Sequence, residues 1–220
     1  MAKTAKKKTS VINQLRAARV IPVIRTQRHE EARTAIQWLL EAGFRTFEVT
    51  LTVPNAAALI GEFSPDPALL IGAGTVADSA TASTCIAAGA KFIVAPWIDP
   101  DLAAPCRESD VLLMLGALTP TEVRAAIAAG ADTVKIFPAA SAGGPAHIKA
   151  LRSVFPETPF CPTGGVGPGN WTDYVAAGAD FVGMGGALVD AREIRAGNRD
   201  AVQSIARTIL EQARGMDRDR

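Results

Sequence analysis

Apolar positions along this chain follow two alternating rhythms. Short runs of β-branched and aromatic residues alternate with longer stretches whose apolar residues recur at helical spacing. One phrase joins the two, and it occurs four times. Glu41-Ala42-Gly43-Phe44 precedes Arg45-Thr46-Phe47-Glu48-Val49, and Ala87-Ala88-Gly89-Ala90 precedes Lys91-Phe92-Ile93-Val94. Ala128-Ala129-Gly130-Ala131 precedes Asp132-Thr133-Val134-Lys135-Ile136, and Ala176-Ala177-Gly178-Ala179 precedes Asp180-Phe181-Val182-Gly183. Each reads as a helix end, a glycine C-cap and then a strand. Four more apolar runs lie between them: Val20 to Arg25, Leu69 to Thr75, Val111 to Gly116, and Pro159 to Thr163. Helical patterns follow the strands, opened by Glu30, Pro54, Asp78, Asp99, Thr119 and Pro168.

Strands and helices alternating every 20–25 residues or so imply βαβ units and a parallel sheet. Eight such pairs make the α/β class, as a single-domain (β/α)8 TIM barrel. At 220 residues the chain is short for that fold, so its loops must be short. An extra N-terminal helix from about Ser10 to Ala18 would close the bottom, and Arg199 to Arg214 would form the last helix. Residues 1–9 are expected to be a disordered basic tail, 10–215 the barrel and 216–220 a disordered C-terminal tail. The competing fold is an open doubly wound sheet, suggested by Gly164-Gly165-Val166-Gly167-Pro168-Gly169. A dinucleotide fingerprint belongs in a first βα unit, with an acidic residue about 20 positions on. This run comes late and contains a proline.

Composition narrows the function classes. Twenty-three basic and 22 acidic residues give a net charge of +1, without the basic face of a nucleic-acid partner. The one cluster, Lys3 with Lys6-Lys7-Lys8, precedes no apolar signal core, and no apolar run approaches the ~20 residues that span a bilayer. A cytoplasmic protein with no membrane partner is expected, so the Asn170-Trp171-Thr172 sequon has no meaning. Cys85, Cys106 and Cys161 are odd in number and far apart, as reduced thiols would be, the first two as small apolar helix residues. His29 and His147 are the only histidines, so a zinc-type ligand set is missing and no metal or cofactor is expected.

The candidate chemistry sits in Ala131-Asp132-Thr133-Val134-Lys135-Ile136-Phe137-Pro138, a strand-like run with one lysine in the middle. Desolvation makes an ammonium less basic, and such a lysine can attack carbonyls. Alternation places Val134 and Ile136 outward on the helices and Lys135 inward. The same period in the second strand puts Phe47, Val49 and Leu51 outward and Glu48 inward. A buried acid and a buried base are expected to meet inside one barrel. An edge-strand lysine or a structural ion pair is the plainer alternative, but buried pairs are often no more stable than apolar ones. Other strand ends are glycine-rich: Gly72-Ala73-Gly74-Thr75, Cys161-Pro162-Thr163-Gly164-Gly165 and Gly183-Met184-Gly185-Gly186. Barrel enzymes often hold a phosphate in the loops after strands seven and eight, although one glycine pair alone is a turn.

Phe47-Glu48-Val49-Thr50-Leu51, Gly72-Ala73-Gly74-Thr75, Lys135-Ile136-Phe137-Pro138-Ala139, Cys161-Pro162-Thr163-Gly164-Gly165 and Gly185-Gly186-Ala187-Leu188-Val189 occur in that order. Together they resemble the 2-keto-3-deoxy-6-phosphogluconate (KDPG) and 4-hydroxy-2-oxoglutarate aldolases, from about Val20 to Val189. The resemblance implies a metal-free lysine aldolase on a small barrel, as a homotrimer. It implies Lys135 as the Schiff-base nucleophile and Glu48 as general acid/base. Thr75 and Thr163 would line the pyruvyl site, with Pro96 in the substrate-binding set. Gly164, Gly165, Gly185 and Gly186 would form the phosphate loops. One family form has Arg where this chain has Thr52; here Arg25 would supply positive charge for a substrate anion. Relatives generally carry Pro where this chain has Leu115.

The implied substrate is a phosphorylated 2-keto acid, cleaved to pyruvate and glyceraldehyde 3-phosphate, with 4-hydroxy-2-oxoglutarate as a second candidate. The residues leave open an aldolase for another 2-keto-3-deoxy acid (galactonate type), a phospho-sugar isomerase, and an engineered oligomeric scaffold. The scaffold would use apolar patches around Trp97-Ile98 or Trp38-Leu39-Leu40.

Overall fold

In a computed structural model describing residues 4–218, the apolar runs form eight strands. They are β1 (Val20–Ile24), β2 (Thr46–Thr50), β3 (Leu70–Gly74), β4 (Phe92–Ala95), β5 (Leu112–Ala117), β6 (Thr133–Ile136), β7 (Phe160–Pro162) and β8 (Val182–Met184). All neighbours pair in parallel, in the order β7-β6-β5-β4-β3-β2-β1-β8. The ring closes through a Thr163–Gly183 bridge and the Asp180 N–H, which donates to the Phe160 carbonyl at 3.0 Å. This is a (β/α)8 barrel. Sequential strands neighbour one another right round it, so the sheet has no switch point of the open doubly wound kind.

The helices are α1 (Thr4–Ala18), α2 (His29–Ala42), α3 (Ala56–Phe63), α4 (Ser79–Ala87), α5 (Ala103–Glu108), α6 (Pro120–Ala128), α7 (Pro145–Val154), α8 (Trp171–Ala176), α9 (Ala191–Arg195) and α10 (Arg199–Arg218). In the repeated phrase, Gly43, Gly89, Gly130 and Gly178 take φ of 117°, 105°, 94° and 107°. Only glycine enters that region freely, so the phrase ends a helix and turns the chain into the next strand.

Period-2 alternation sorts the strand residues into two apolar compartments. Val20, Val49, Ile71, Leu113, Val134 and Ile136 join the shell between strands and helices. Ile21, Leu70, Phe92, Val94, Leu112, Met114, Cys161 and Phe181 fill the barrel, with Val11 and Leu15 of α1 plugging it. A substituent on Gly72 would collide with the Phe92 ring, so that glycine makes room for the aromatic.

Several boundaries differ from expectation. Residues 4–9, expected in the tail, are helical, and Lys8 Nζ reaches Asp132 Oδ2 at 2.7 Å. The last helix runs to Arg218 rather than Arg214. Of the two expected tails, residues 1–3 and 219–220 lie outside the described residues. Asp99 opens a 3-10 turn, Pro100–Leu102, ahead of α5. Pro54 and Pro168 fall before their helices, because Asn55 turns left-handed (φ 56°) and Asn170 folds the glycine loop. Asn170 Oδ1 accepts from the Gly167 N–H at 2.9 Å, and its Nδ2 donates to the Gly165 carbonyl at 3.0 Å. Trp38-Leu39-Leu40 is not an exposed patch: Leu39 is fully buried and its neighbours pack on the core. Trp97 is 45% exposed. Among the described residues no helix is long and apolar enough to cross a membrane.

Candidate active site

Glu48 is the middle residue of β2 and Lys135 the third residue of β6. Both point into the barrel, as the alternation requires, and both are buried. Lys135 Nζ lies 3.6 Å from Glu48 Oε1. That is an ion-pair distance longer than a hydrogen bond, and Glu48 Oε1 has no hydrogen-bond partner among the described residues. A buried carboxylate oxygen without a donor is costly in a merely structural pair and useful in one that exchanges protons. Space for the acid comes from β3: a Cβ on Gly74 would overlap Glu48 Oε1. The Lys135 ammonium also stands 5.5 Å from the centre of the Phe137 ring.

Two hydroxyls frame the pair. Thr163 Oγ1 lies 3.8 Å from Cys161 Sγ and donates a long bond to the Cys161 carbonyl at 3.5 Å. Burial pushes the Cys161 thiol up to about 12, against the pull of the Lys135 charge. Thr75 has φ 58°, a left-handed conformation in which a β-branched residue is strained by about 1–3 kcal/mol. Its hydroxyl accepts from Arg25 Nη2 at 3.1 Å, so the strained turn aligns threonine and arginine side by side.

Arg25, Thr75, Pro96, Lys135, Thr163, Gly164, Gly165, Gly185 and Gly186 all line one cleft of roughly 920 Å³ at the C-terminal ends of the strands. Glu48 is not on its wall and meets it through Lys135. Gly164 and Gly165 have φ of 90° and 76°, and a Cβ on Gly165 would strike Ala140. Gly185 and Gly186 differ, since a Cβ there would meet nothing within 4 Å. Their bareness relieves no clash; it opens the backbone to a ligand. The N–H groups of Gly165, Gly185 and Gly186 bond to no other described residue, an arrangement that suits an anion.

Sequence reasoning did not find Phe137, Asn170, Asp190 or Arg192 on this wall. Asn170 was legible only as a sequon. Arg192 belongs to α9 and Asp190 is its N-cap, and a helix of five residues is too short to show a period.

The model of the family described as KDPG and KHG aldolase matches residues 11–205. A 2-dehydro-3-deoxy-phosphogluconate aldolase of Pseudomonas aeruginosa is 35% identical over 93% of this chain and 94% of its own length. A KHG/KDPG aldolase of Escherichia coli K12 is 32% identical over 94% and 98%. Among solved structures, a KDPG aldolase of Legionella pneumophila superposes with a TM-score of 0.81 at 32% identity, covering 90% of this chain and 97% of that one. That structure holds pyruvate captured at low pH as a covalent carbinolamine intermediate.

Proposed function

The chain belongs to the KDPG and KHG aldolase family, and from that membership we propose how it works as a metal-independent Schiff-base aldolase. It cleaves 2-keto-3-deoxy-6-phosphogluconate to pyruvate and glyceraldehyde 3-phosphate. The observation that carries the reading is Lys135 facing Glu48 at 3.6 Å, buried, beside a cleft that ends in bare glycine loops. Residues 10–215 act as one catalytic domain.

Neutral Lys135 attacks the C2 ketone through its nitrogen lone pair, giving a carbinolamine that loses water to an iminium. Glu48, directly or through a water, takes the proton of the C4 hydroxyl. The C3–C4 electron pair then becomes the C2=C3 bond of an enamine while the C=N π pair moves onto nitrogen, and the aldehyde departs. Glu48 returns its proton to C3 of the enamine, and water attacks the resulting iminium to release pyruvate and free Lys135. Arg25, with Thr75 and Thr163, holds the keto-acid end, and Pro96 bounds it. Gly164, Gly165, Gly185 and Gly186 receive the phosphate through backbone N–H groups.

The same pyruvyl chemistry accepts 4-hydroxy-2-oxoglutarate, giving pyruvate and glyoxylate, because the reacting atoms are shared. We assign the working form to a cytoplasmic homotrimer, with the exposed Trp97 and Phe137 (45% and 39%) as candidates for contact between copies. Light scattering should give three times the chain mass; a monomer at micromolar concentration would refute the trimer.

The mechanism is tested by intact-mass spectrometry after incubation with pyruvate and borohydride. One pyruvate-sized adduct is expected, absent from folded Lys135→Ala protein. A wild-type chain that is folded and gains no mass would end the Schiff-base reading.

A further inference from the structure

Among the described residues three cations line the cleft, and the chemistry above uses two of them. Arg25 and Lys135 serve the keto-acid end; the third, Arg192 on α9, shares the wall with Gly185 and Gly186. We propose that Arg192 is the specificity-determining cation for the substrate's distal phosphate, and that Asp190 positions it. The assignment rests on the aldolase reading and extends it to one side chain.

Neutral backbone N–H groups can receive a phosphate, but a group carrying close to two negative charges is better matched by a charged donor. Arg192 is already oriented for this. Its Nη2 donates to Asp190 Oδ2 at 2.9 Å and its Nε to Asp190 Oδ1 at 3.3 Å. Its backbone N–H donates to the same Oδ1 at 2.8 Å. One edge of the planar fork is therefore anchored, and Nη1 bonds to no described residue. Anchoring removes part of the rotamer freedom that an 87% exposed arginine would otherwise lose on binding. Side-chain and backbone hydrogen bonds from Arg192 hold the Asp190 carboxyl below its ordinary range, so the pair is intact at neutral pH.

The pairing leaves a signature that a general surface charge would not. With Arg192 present, the Asp190 charge is compensated. Without it, a bare carboxylate faces the incoming dianion and repels it. Arg192→Ala should thus be worse than Arg192→Ala combined with Asp190→Asn, in which the amide still caps α9. Arg192→Lys keeps the charge without the fork and should fall between wild type and alanine.

The experiment compares cleavage of the phosphorylated substrate with that of 4-hydroxy-2-oxoglutarate, and titrates glycerol 3-phosphate against glycerol by calorimetry. For Arg192→Ala, the kcat/KM ratio of the two substrates should fall about tenfold, through KM, and glycerol 3-phosphate should bind about tenfold more weakly. Partial recovery is expected in the double variant. A ratio and an affinity both within twofold of wild type would overturn the assignment. So would a double variant no better than the single one. Trapping of pyruvate by the wild-type chain separates the two claims. If pyruvate is trapped and Arg192→Ala changes nothing, the arginine assignment falls alone. If none is trapped yet glycerol 3-phosphate affinity drops with Arg192, the aldolase reading falls and Arg192 stands as a phosphate ligand.

Discussion

Glu48 owes its place in the barrel to a residue with no side chain. Alternation along β2 aims the carboxylate inward, but the interior accepts it because Gly74 on β3 leaves its space empty. Gly74→Ala should push the carboxylate off its line to Lys135. Since misplacement by about 1 Å can cost on the order of 100-fold, kcat should fall by roughly that factor. The overpacked barrel should also lose about 1–3 kcal/mol, read from a urea titration. Unchanged kcat would mean that Glu48 works from elsewhere. Glu48→Gln removes the proposed base at constant volume, and kcat should drop about 10²–10⁴-fold in a cleavage assay, with the fold retained by circular dichroism. Glu48 and Lys135 were legible in the sequence because a single strand's period decides which way each faces. Gly72 and Gly74 were read as parts of a glycine-rich strand end, since their steric role appears only with Phe92 and Glu48 packed against them. Arg192 was illegible for a related reason: what it faces depends on how a five-residue helix is hung from β8.

The repeated phrase does more between elements than end helices. In two of its four copies the residue after Gly-Ala is aspartate, and both aspartates do the same work. Asp132 Oδ2 accepts the N–H of Leu113 at 2.8 Å and pairs with Lys8. Asp180 Oδ2 accepts the N–H of Phe160 at 3.0 Å and Arg152 Nη2 at 2.8 Å, while its Oδ1 accepts from Arg16 at 2.9 Å. Each thus ties a neighbouring strand to a cation of α1, and Asp180 does so at the β7–β8 seam, where pairing is thinnest. The phrase announced the glycine caps and strands; the aspartate ties could not be read without knowing which strands adjoin. Asp180→Asn should lower stability by about 1–3 kcal/mol, less than a fully buried pair would, because Arg16 is half exposed. It should leave kcat intact, since the ties lie at the end of the barrel away from the cleft. A urea midpoint matching wild type would show that α1 and β7 hold the seam unaided. At the first turn of α6, the Thr119 hydroxyl accepts from the Glu122 N–H while the Glu122 carboxylate accepts from the Thr119 N–H. Thr119→Ala should cost about 1 kcal/mol in the same titration. The sequence marked Thr119 as the opening of that helix, but the reciprocal bond from Glu122 was not read from it. Pro54 and Pro168 misled because an asparagine between each proline and its helix held the loop instead.

At the scale of the molecule, the barrel must stay dry for the proposed chemistry, since desolvation is what favours a neutral amine. Cys161 reports on that dryness because it shares the interior with Lys135 and Glu48, whose charges both act on it. Burial pushes its thiol up to about 12, and pushes Cys85 to about 11 and Cys106 to about 12 in the outer shell. Unfolded, such thiols ionise near 9.0. Between that pH and the folded values, the unfolded chain gives up protons that the native chain retains, so stability is fully present below 9 and falls as pH rises. The slope approaches about 1.4 kcal/mol per pH unit for each thiol between its unfolded and folded values. Urea titrations from pH 8 to 10.5 should therefore show declining stability, with a shallower slope in Cys161→Ala. Native protein at pH 8 should leave all three thiols unmodified by an aromatic disulfide reagent, which should count three on unfolding. Rapid reaction of Cys161 alone in the native state would mean that water reaches the interior beside Lys135, its register partner on the next strand, and that the barrel is not dry.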